Sequence, residues 1–235
     1  MNIYFALSTV LFFGAITIIY WLHNQAWLKV QTAPAAPPAA GPRISVLIPA
    51  RNEQKNIQRC LQAVLAQDYP NFQVFVLDDR STDSTPAILA ELSTHDSRLV
   101  ILHGRELPAG WTGKPHALHQ AAAAATGEWL LFLDADTFLY PNALSAALAS
   151  AQKTGADLYT VMTAQLLGSF LEKTVMPLVF TALSVGFSPN KVNDPHSRAA
   201  IANGQFIFIR RPKNNSPSRL TTRPAAVTVV PGRPL

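Results

Sequence analysis

Asp134 and Asp136 are two carboxylates separated by one residue, and they come directly after the unbroken apolar run Trp129-Leu-Leu-Phe-Leu133. Two acids that close repel each other unless a cation lies between them, and a hard divalent ion with oxygen ligands is the natural one. A second acidic turn, Asp78-Asp79-Arg80-Ser81, ends the apolar run Val74-Phe-Val-Leu77, and a polar turn, Pro49-Ala-Arg-Asn-Glu53, ends Ile44-Ser-Val-Leu-Ile48. Each of these has a plainer assignment. Asp78 and Asp79 could form a turn that caps the next helix, and Asp134 and Asp136 could cap a helix near Pro141. Arg51, Asn52 and Glu53 could be a surface helix start. His116 and His119 share one helix face, where ordinary polar positions outweigh a ligand or base role. Cys60, the single cysteine, sits at an apolar helix position and reads as core. One cysteine excludes both an intrachain disulfide and a cysteine zinc cluster.

The elements that must position these groups alternate regularly. Ile44–Ile48 reads as a strand stopped by Pro49, followed by a helix from about Glu53 with Asn52 as N-cap and Ile57, Cys60, Leu61, Val64 and Leu65 on one face. Val74–Leu77 is a second strand. The next helix has Pro86 in its first turn, Ser84 or Thr85 as cap, and Ile88, Leu89 and Leu92 as its buried stripe. Leu99–Leu102 is a third strand, and an Ala-rich helix runs from about Pro115. Its run Ala121–Ala125 either permits close approach to the sheet or simply favours helix. Trp129–Leu133 is the fourth strand, apolar throughout as a central parallel strand covered on both faces requires. Helix from about Pro141, strand Leu158–Met162 and strand Phe206–Ile209 come next. This alternation predicts right-handed βαβ units in a mostly parallel α/β sheet. In the doubly wound order the first and fourth strands are neighbours, and ligands bind in the crevice outside the carboxyl ends of the strands. The three polar turns are then expected at one mouth.

The flanking segments differ in character. Residues 3–22 are apolar and uncharged, long enough to cross a bilayer as a helix, with Tyr4, Tyr20 and Trp21 near the ends. A cleaved signal peptide is the competing reading, but a basic leader and a small-x-small site are missing. Lys29, Arg43 and Arg51 lie after the segment, which predicts a single-pass anchor in the inner (cytoplasmic) membrane with the globular part in the cytoplasm. Residues 33–42 form a Pro/Ala linker. Residues 166–187 are apolar but interrupted, and are read as a helix in the membrane interface over a buried core helix. Residues 212–235 hold five prolines and no acid, and are expected to lack regular structure. The chain has 235 residues with 19 basic against 14 acidic side chains. This mild excess fits an anionic ligand or a membrane surface and is too diffuse for nucleic acid.

Taken in order, these segments resemble a known family. Ile44-Ser-Val-Leu-Ile-Pro-Ala-Arg-Asn-Glu53, Val76-Leu-Asp-Asp-Arg-Ser-Thr-Asp83, Gly113-Lys-Pro-His-Ala-Leu118 and Leu133-Asp-Ala-Asp136 resemble the four donor-site motifs of the family-2 glycosyltransferases, whose fold is the Rossmann-like GT-A fold. Trp111-Thr-Gly-Lys114 and Ile201-Ala-Asn-Gly-Gln-Phe206 carry a narrower likeness to the membrane-anchored, hopene-associated members. The resemblance covers residues 43–211. It implies that Pro49, Arg51, Asn52, Glu53, Asp78, Asp79, Lys114 and Asp134 bind a nucleotide sugar, a UDP-sugar in the first instance, with Asp79 accepting from the uracil edge. It implies that Asp134 and Asp136 hold Mg²⁺ or Mn²⁺ against the diphosphate, and that the acceptor is a membrane lipid, with a hopanoid-related lipid as the candidate class.

The same resemblance calls for an acidic acceptor-side motif that takes the acceptor hydroxyl proton. No Asp or Glu follows Asp194, so the catalytic residue is unassigned, and the chain reads as truncated or frameshifted after Arg211. An inactive remnant that only binds nucleotide sugar is the alternative to a transferase. A nucleotidyltransferase would want a Gly-rich loop after the first strand, which Pro49–Glu53 is not.

Overall fold

A computed structural model describes residues 3–27, 29–30, 41–186, 189–194, 196–197, 199, 201–211 and 225–229. The elements in chain order are α1 (Ile3–Trp27), β1 (Lys29–Val30), β2 (Ile44–Ala50), α2 (Ile57–Leu65), β3 (Phe72–Asp78), α3 (Thr85–His95), β4 (Leu99–His103), α4 (Gly113–Ala124), β5 (Trp129–Leu133), α5 (Ala143–Thr154), β6 (Leu158–Met162), α6 (Phe170–Gly186), α7 (Pro189–Asn193), β7 (Phe206–Arg210) and β8 (Ala225–Val229).

One sheet runs β1-β8-β6-β7-β5-β2-β3-β4. β2 lies between β3 and β5 and is parallel to both, while β7 is antiparallel to β5 and β6. The expected adjacency of the first and fourth core strands is therefore present, and β2 marks the switch point. Leu47 pairs with Phe132 and Ala50 with Asp78. By this register β2 and β3 end level and β5 ends two residues short of them, so all three deliver their polar turns to one edge.

Side-chain alternation divides the core into two layers. Val46, Ile48, Val74, Val76, Leu131 and Leu133 face one side, against Ile57, Leu61, Val64, Leu144 and Leu148 of α2 and α5. Leu47, Phe75, Leu77 and Leu130 face the other, against Ala117, Ala121 and Ala125 of α4 and the residue closing it. Those three alanines recur every four residues and are buried. The small-residue stripe thus sets a close approach between helix and sheet. At the opposite edge Gly127 touches β2: a Cβ there would lie 2.7 Å from both Ser45 N and Ser45 Oγ.

Several boundaries differ from the sequence expectation. Pro49 does not stop the first core strand, which continues to Ala50. Pro49 falls in the last two positions of the strand, where a missing ladder donor costs least. The helix expected from Glu53 begins at Ile57, with Asn56 at the N-cap position but making no side-chain cap bond. Asn52 is not its cap: it adopts φ 57°, a left-handed conformation that Asn tolerates better than most residues. Of the segment 212–235, Ala225–Val229 is a strand that pairs in parallel with β6 and with β1. Val227, Thr228 and Val229 are β-branched and suit a pleated strand, a local preference that the surrounding prolines mask in the sequence. The remainder of that segment, and the linker apart from residues 41 and 42, lie outside the described residues.

The expected N-terminal helix forms as α1. Judged on the described residues, no helix is long and apolar enough to cross a membrane, so the single-pass span is not established by the fold. Leu11, Phe12, Phe13, Ile18 and Ile19 of α1 are nonetheless exposed, as are Phe170, Leu171 and Leu178 of α6. α6 is therefore not the buried core helix of the competing reading. It opens with a capping box: Glu172 N donates to Ser169 Oγ, while Gly168 N and Ser169 N donate to Glu172 Oε2.

Candidate active site

Pro49, Ala50, Arg51 and Glu53 from the end of β2, Asp79 from β3, Gly113, Lys114 and Ala117 from α4, and Asp134, Ala135 and Asp136 from β5 line one cleft of about 330 Å³. Seven of the residues singled out from sequence thus meet at the strand ends, although they are drawn from four separate segments. Asn52 and Asp78 do not line it.

Asp78 and Asp79 divide the work of their turn. The Asp78 carboxylate accepts from Ser81 N at 3.1 Å, and its backbone oxygen accepts from Gly104 N at 2.8 Å. It shapes the loop, in line with the turn assignment. Asp79 is also buried, but its carboxylate turns to the cleft, with Arg80 Nε 3.3 Å from Oδ1 and Arg51 Nη1 3.7 Å from Oδ2. Gly104 backs it closely, since a Cβ at that position would stand 3.0 Å from Asp79 Cα and Oδ1.

The β2 and β3 turns are knitted together by side chains. Asn52 Oδ1 accepts from Thr82 N at 2.8 Å, and Asn52 N donates to Ser81 Oγ at 3.0 Å. Glu53 N donates to Thr85 Oγ1 at 2.9 Å, and Asp83 accepts from Gln54 N and Thr85 N. Burial acts to raise the Asp83 carboxyl, but the hydrogen bonds from Thr85 and Gln54 outweigh it and hold the group below the usual range. Sequence reasoning gives no role to Gln54 or Asp83 here, and reads Thr85 only as a helix cap. The signal was present as small polar side chains in both turns, without any indication that they pair across about thirty residues.

Across the cleft Lys114 Nζ lies 2.6 Å from Asp134 Oδ1. Lys114 is the second residue of α4, and its side chain is 51% exposed against 23% for Asp134. Asp136 is exposed at the rim. The combined negative field reaches inward: the buried Cys60 thiol is pushed up to about 12, first by burial and then by Asp136, Glu53 and Asp134. Cys60 packs as core, as expected. His116 and His119 stand apart from the lining. His116 Nδ1 is 3.2 Å from Gln120 Nε2, and both rings lie against Trp111, with centroids 5.5 and 5.1 Å away. Ala50, Gly113, Ala117 and Ala135 were not singled out, yet their small size is what leaves the cleft open.

The donor set fits a divalent ion only in company. Among the described residues no group of three or more His, Cys, Asp or Glu side chains converges as a metal cage. Asp134 and Asp136 offer carboxylate oxygens at an open rim. That matches an ion that keeps waters and completes its shell with substrate phosphate, as Mg²⁺ does.

Fold and cleft together define an α/β protein of GT-A-like architecture, with an acid-lined ligand site at the switch point of its sheet. The chain belongs to glycosyl transferase family 2, whose description matches residues 45–211. It is 35% identical over 119 residues to glycosyltransferase AglE of Haloferax volcanii, covering 50% of this chain and 38% of that protein. It is 30% identical over 154 residues to the beta-monoglucosyldiacylglycerol synthase of Nostoc sp., covering 64% of this chain and 31% of that enzyme. The chain spans about a third of the length of these curated relatives. Among solved structures it is similar to the mannosyltransferase PcManGT from Pyrobaculum calidifontis in complex with GDP-Man and Mn²⁺. The TM-score is 0.62 at 24% identity, over 94% of this chain and 66% of that one. Glucosyl-3-phosphoglycerate synthase from Mycobacterium tuberculosis, in complex with Mn²⁺, uridine diphosphate and phosphoglyceric acid, gives a TM-score of 0.57 at 22% identity, over 88% and 79% of the two chains. At these identities the structural likeness speaks for the fold.

Proposed function

We propose that the chain binds a nucleotide diphospho-sugar in the cleft between Asp79 and Asp134 and takes part in transferring its sugar to a membrane lipid. The observation that carries this reading is that Asp79, Lys114, Asp134 and Asp136, from three different segments, line a single cleft. Asp79 supplies an acceptor for a base edge, and Lys114 a cation for a diphosphate oxygen. Asp134 and Asp136 would hold Mg²⁺ or Mn²⁺, which neutralises charge on the departing diphosphate. Arg51 and Glu53 flank the nucleotide. The Nostoc relative supports a lipid acceptor, being named for a glucolipid, and PcManGT, in complex with GDP-Man and Mn²⁺, is a case of this fold holding such a donor.

The lipid acceptor and membrane location rest on exposed apolar surface. α1 exposes Val10 through Phe13 consecutively, so its apolar surface runs round the helix rather than along one stripe. Such a helix suits lipid better than a protein groove. Lys29, Arg43 and Arg51 lie after it in the chain, which favours an inner-membrane anchor with the domain in the cytoplasm. A hopanoid-type acceptor is supported by the likeness of Trp111–Lys114 and Ile201–Phe206 to hopene-associated members. A second reading is binding without transfer. It is favoured by one observation, that the lining of the cleft accounts for holding a donor and includes no group placed on an acceptor.

Calorimetry with uridine diphosphate, with and without Mn²⁺, tests the donor site, and Mn²⁺-dependent binding that Asp79→Asn weakens is expected. Absence of binding to the wild-type protein would refute the reading. Transfer of radiolabelled sugar to extracted membrane lipid then separates transferase from binder.

A further inference from the structure

We infer that Lys114 is an exchange cation: its ammonium neutralises Asp134 while the cleft is empty and moves to a diphosphate oxygen when a divalent ion takes that carboxylate. The inference rests on the proposed donor site and adds a coupling between its two ligands. Lys114 Nζ stands 2.6 Å from Asp134 Oδ1, at charge-assisted hydrogen-bond distance. Asp134 is also the carboxylate nearest the end of β5, level with Pro49 when the strand register is continued, and it shares the cleft with Asp79. An ammonium and a divalent ion on one carboxylate repel each other strongly in a partly desolvated cleft. A lysine has a flexible four-carbon stem and a compact charge, and this one is half exposed at the first turn of α4. It can leave Asp134 without disturbing the fold.

The consequence is cooperative loading. A divalent ion arriving alone must displace the ammonium with nothing to receive it. A diphosphate arriving alone meets two carboxylates and a lysine already engaged. Arriving together, the ion occupies Asp134, the ammonium meets a phosphate, and every charge has an opposite. By linkage the nucleotide then raises metal affinity by the same factor as the metal raises nucleotide affinity.

The test is Mn²⁺ binding by electron paramagnetic resonance, with and without saturating uridine diphosphate, on the wild type and on Lys114→Gln, Lys114→Arg and Arg51→Gln. K114Q is expected to bind Mn²⁺ alone about threefold to fivefold tighter than wild type, the upper part of the range of an exposed ion pair. Its enhancement by uridine diphosphate is expected to shrink by a similar factor. K114R keeps a cation and should retain weak metal-alone binding. R51Q removes the same charge from the same cleft without freeing Asp134, and should change metal-alone binding less than twofold. If K114Q binds Mn²⁺ alone no tighter than wild type, or if R51Q changes it as much as K114Q does, the exchange is overturned. Failure of the donor reading looks different. The wild type would then bind no uridine diphosphate at saturating Mn²⁺, while the metal-alone comparison still decides whether Lys114 competes for Asp134.

Discussion

Asn52 Oδ1 accepts the backbone amide of Thr82 at 2.8 Å while Asn52 itself sits at φ 57°. Asn52 therefore helps join the turns after β2 and β3, and it does so from a left-handed conformation. Its sequence context suggests contact with the nucleotide and a helix cap. It instead holds the two cleft loops at their mutual spacing.

Replacing Asn52 by alanine removes that bond and leaves a side chain poorly suited to the left-handed region. A loss of roughly 1–3 kcal/mol in urea denaturation is expected. Asn52→Gly keeps the backbone conformation and loses only the bond, so it should fall between wild type and N52A. Calorimetry with uridine diphosphate and Mn²⁺ should show weaker binding in both. Unchanged stability in N52A would mean the loops are held by other contacts.

Gly104 offers a sharper probe of Asp79. A methyl at this position meets Asp79 Cα and Oδ1 at 3.0 Å and Asp78 O at 3.1 Å. Gly104→Ala should shift the acidic turn by a few tenths of an ångström and cost on the order of 1–3 kcal/mol. Nucleotide affinity should fall with it, since a small misplacement of a hydrogen-bonding carboxylate is felt at the ligand. Normal affinity in a folded G104A protein would remove Asp79 from the ligand's surroundings.

Gly127→Ala should destabilise the fold without any particular effect on the cleft. The new methyl lies 2.7 Å from Ser45 N and Oγ and 2.8 Å from Arg43 O, and most of these atoms are backbone that cannot step aside. Overpacking of this kind costs about 1–3 kcal/mol. The residual folded protein should bind uridine diphosphate as wild type does. A wild-type melting temperature would show that β2 and β5 separate more readily than their contact implies.

Acid should weaken the packing of α3 against β4. The Asp96 carboxyl is held below its ordinary range, first by the side-chain hydrogen bond from Arg98 and then by that residue's backbone amide and charge, against a smaller burial cost. A lowered folded value means the contribution is present above the unfolded carboxylate pKa and is lost as pH falls through the folded one. Urea midpoints compared near about pH 7 and about pH 3 should fall less for Asp96→Asn than for wild type. An equal fall in both would assign the acid sensitivity elsewhere.

α1 and α6 present exposed apolar side chains, including Phe170 and Leu171 at the start of α6. If these meet a bilayer, the double variant Phe170→Ser, Leu171→Ser should reduce binding to lipid vesicles by roughly tenfold in cosedimentation, because each residue forfeits interfacial burial. Retained vesicle binding would place the contact on α1 alone.

The sequence by itself settled which segments form the sheet and which turns carry acid. Mostly apolar runs of four or five residues bounded by Pro49, Asp78 and Asp134 are local patterns, and strand–helix alternation leaves few topologies to choose from. It therefore brought the turns Pro49–Glu53, Asp78–Asp79 and Asp134–Asp136 to one edge of the sheet, while Lys114 was suggested only by the family resemblance. Only the tertiary structure separated Asp79, which faces the cleft, from Asp78, which closes a turn, because side-chain direction at a strand's last residue depends on the loop beyond it. Only the tertiary structure put Lys114 on Asp134, showed Asn52 reaching Thr82, and paired Ala225–Val229 with β6. Those contacts join residues twenty or more positions apart. Periodicity within one element carries no information about a partner that chain folding alone brings near.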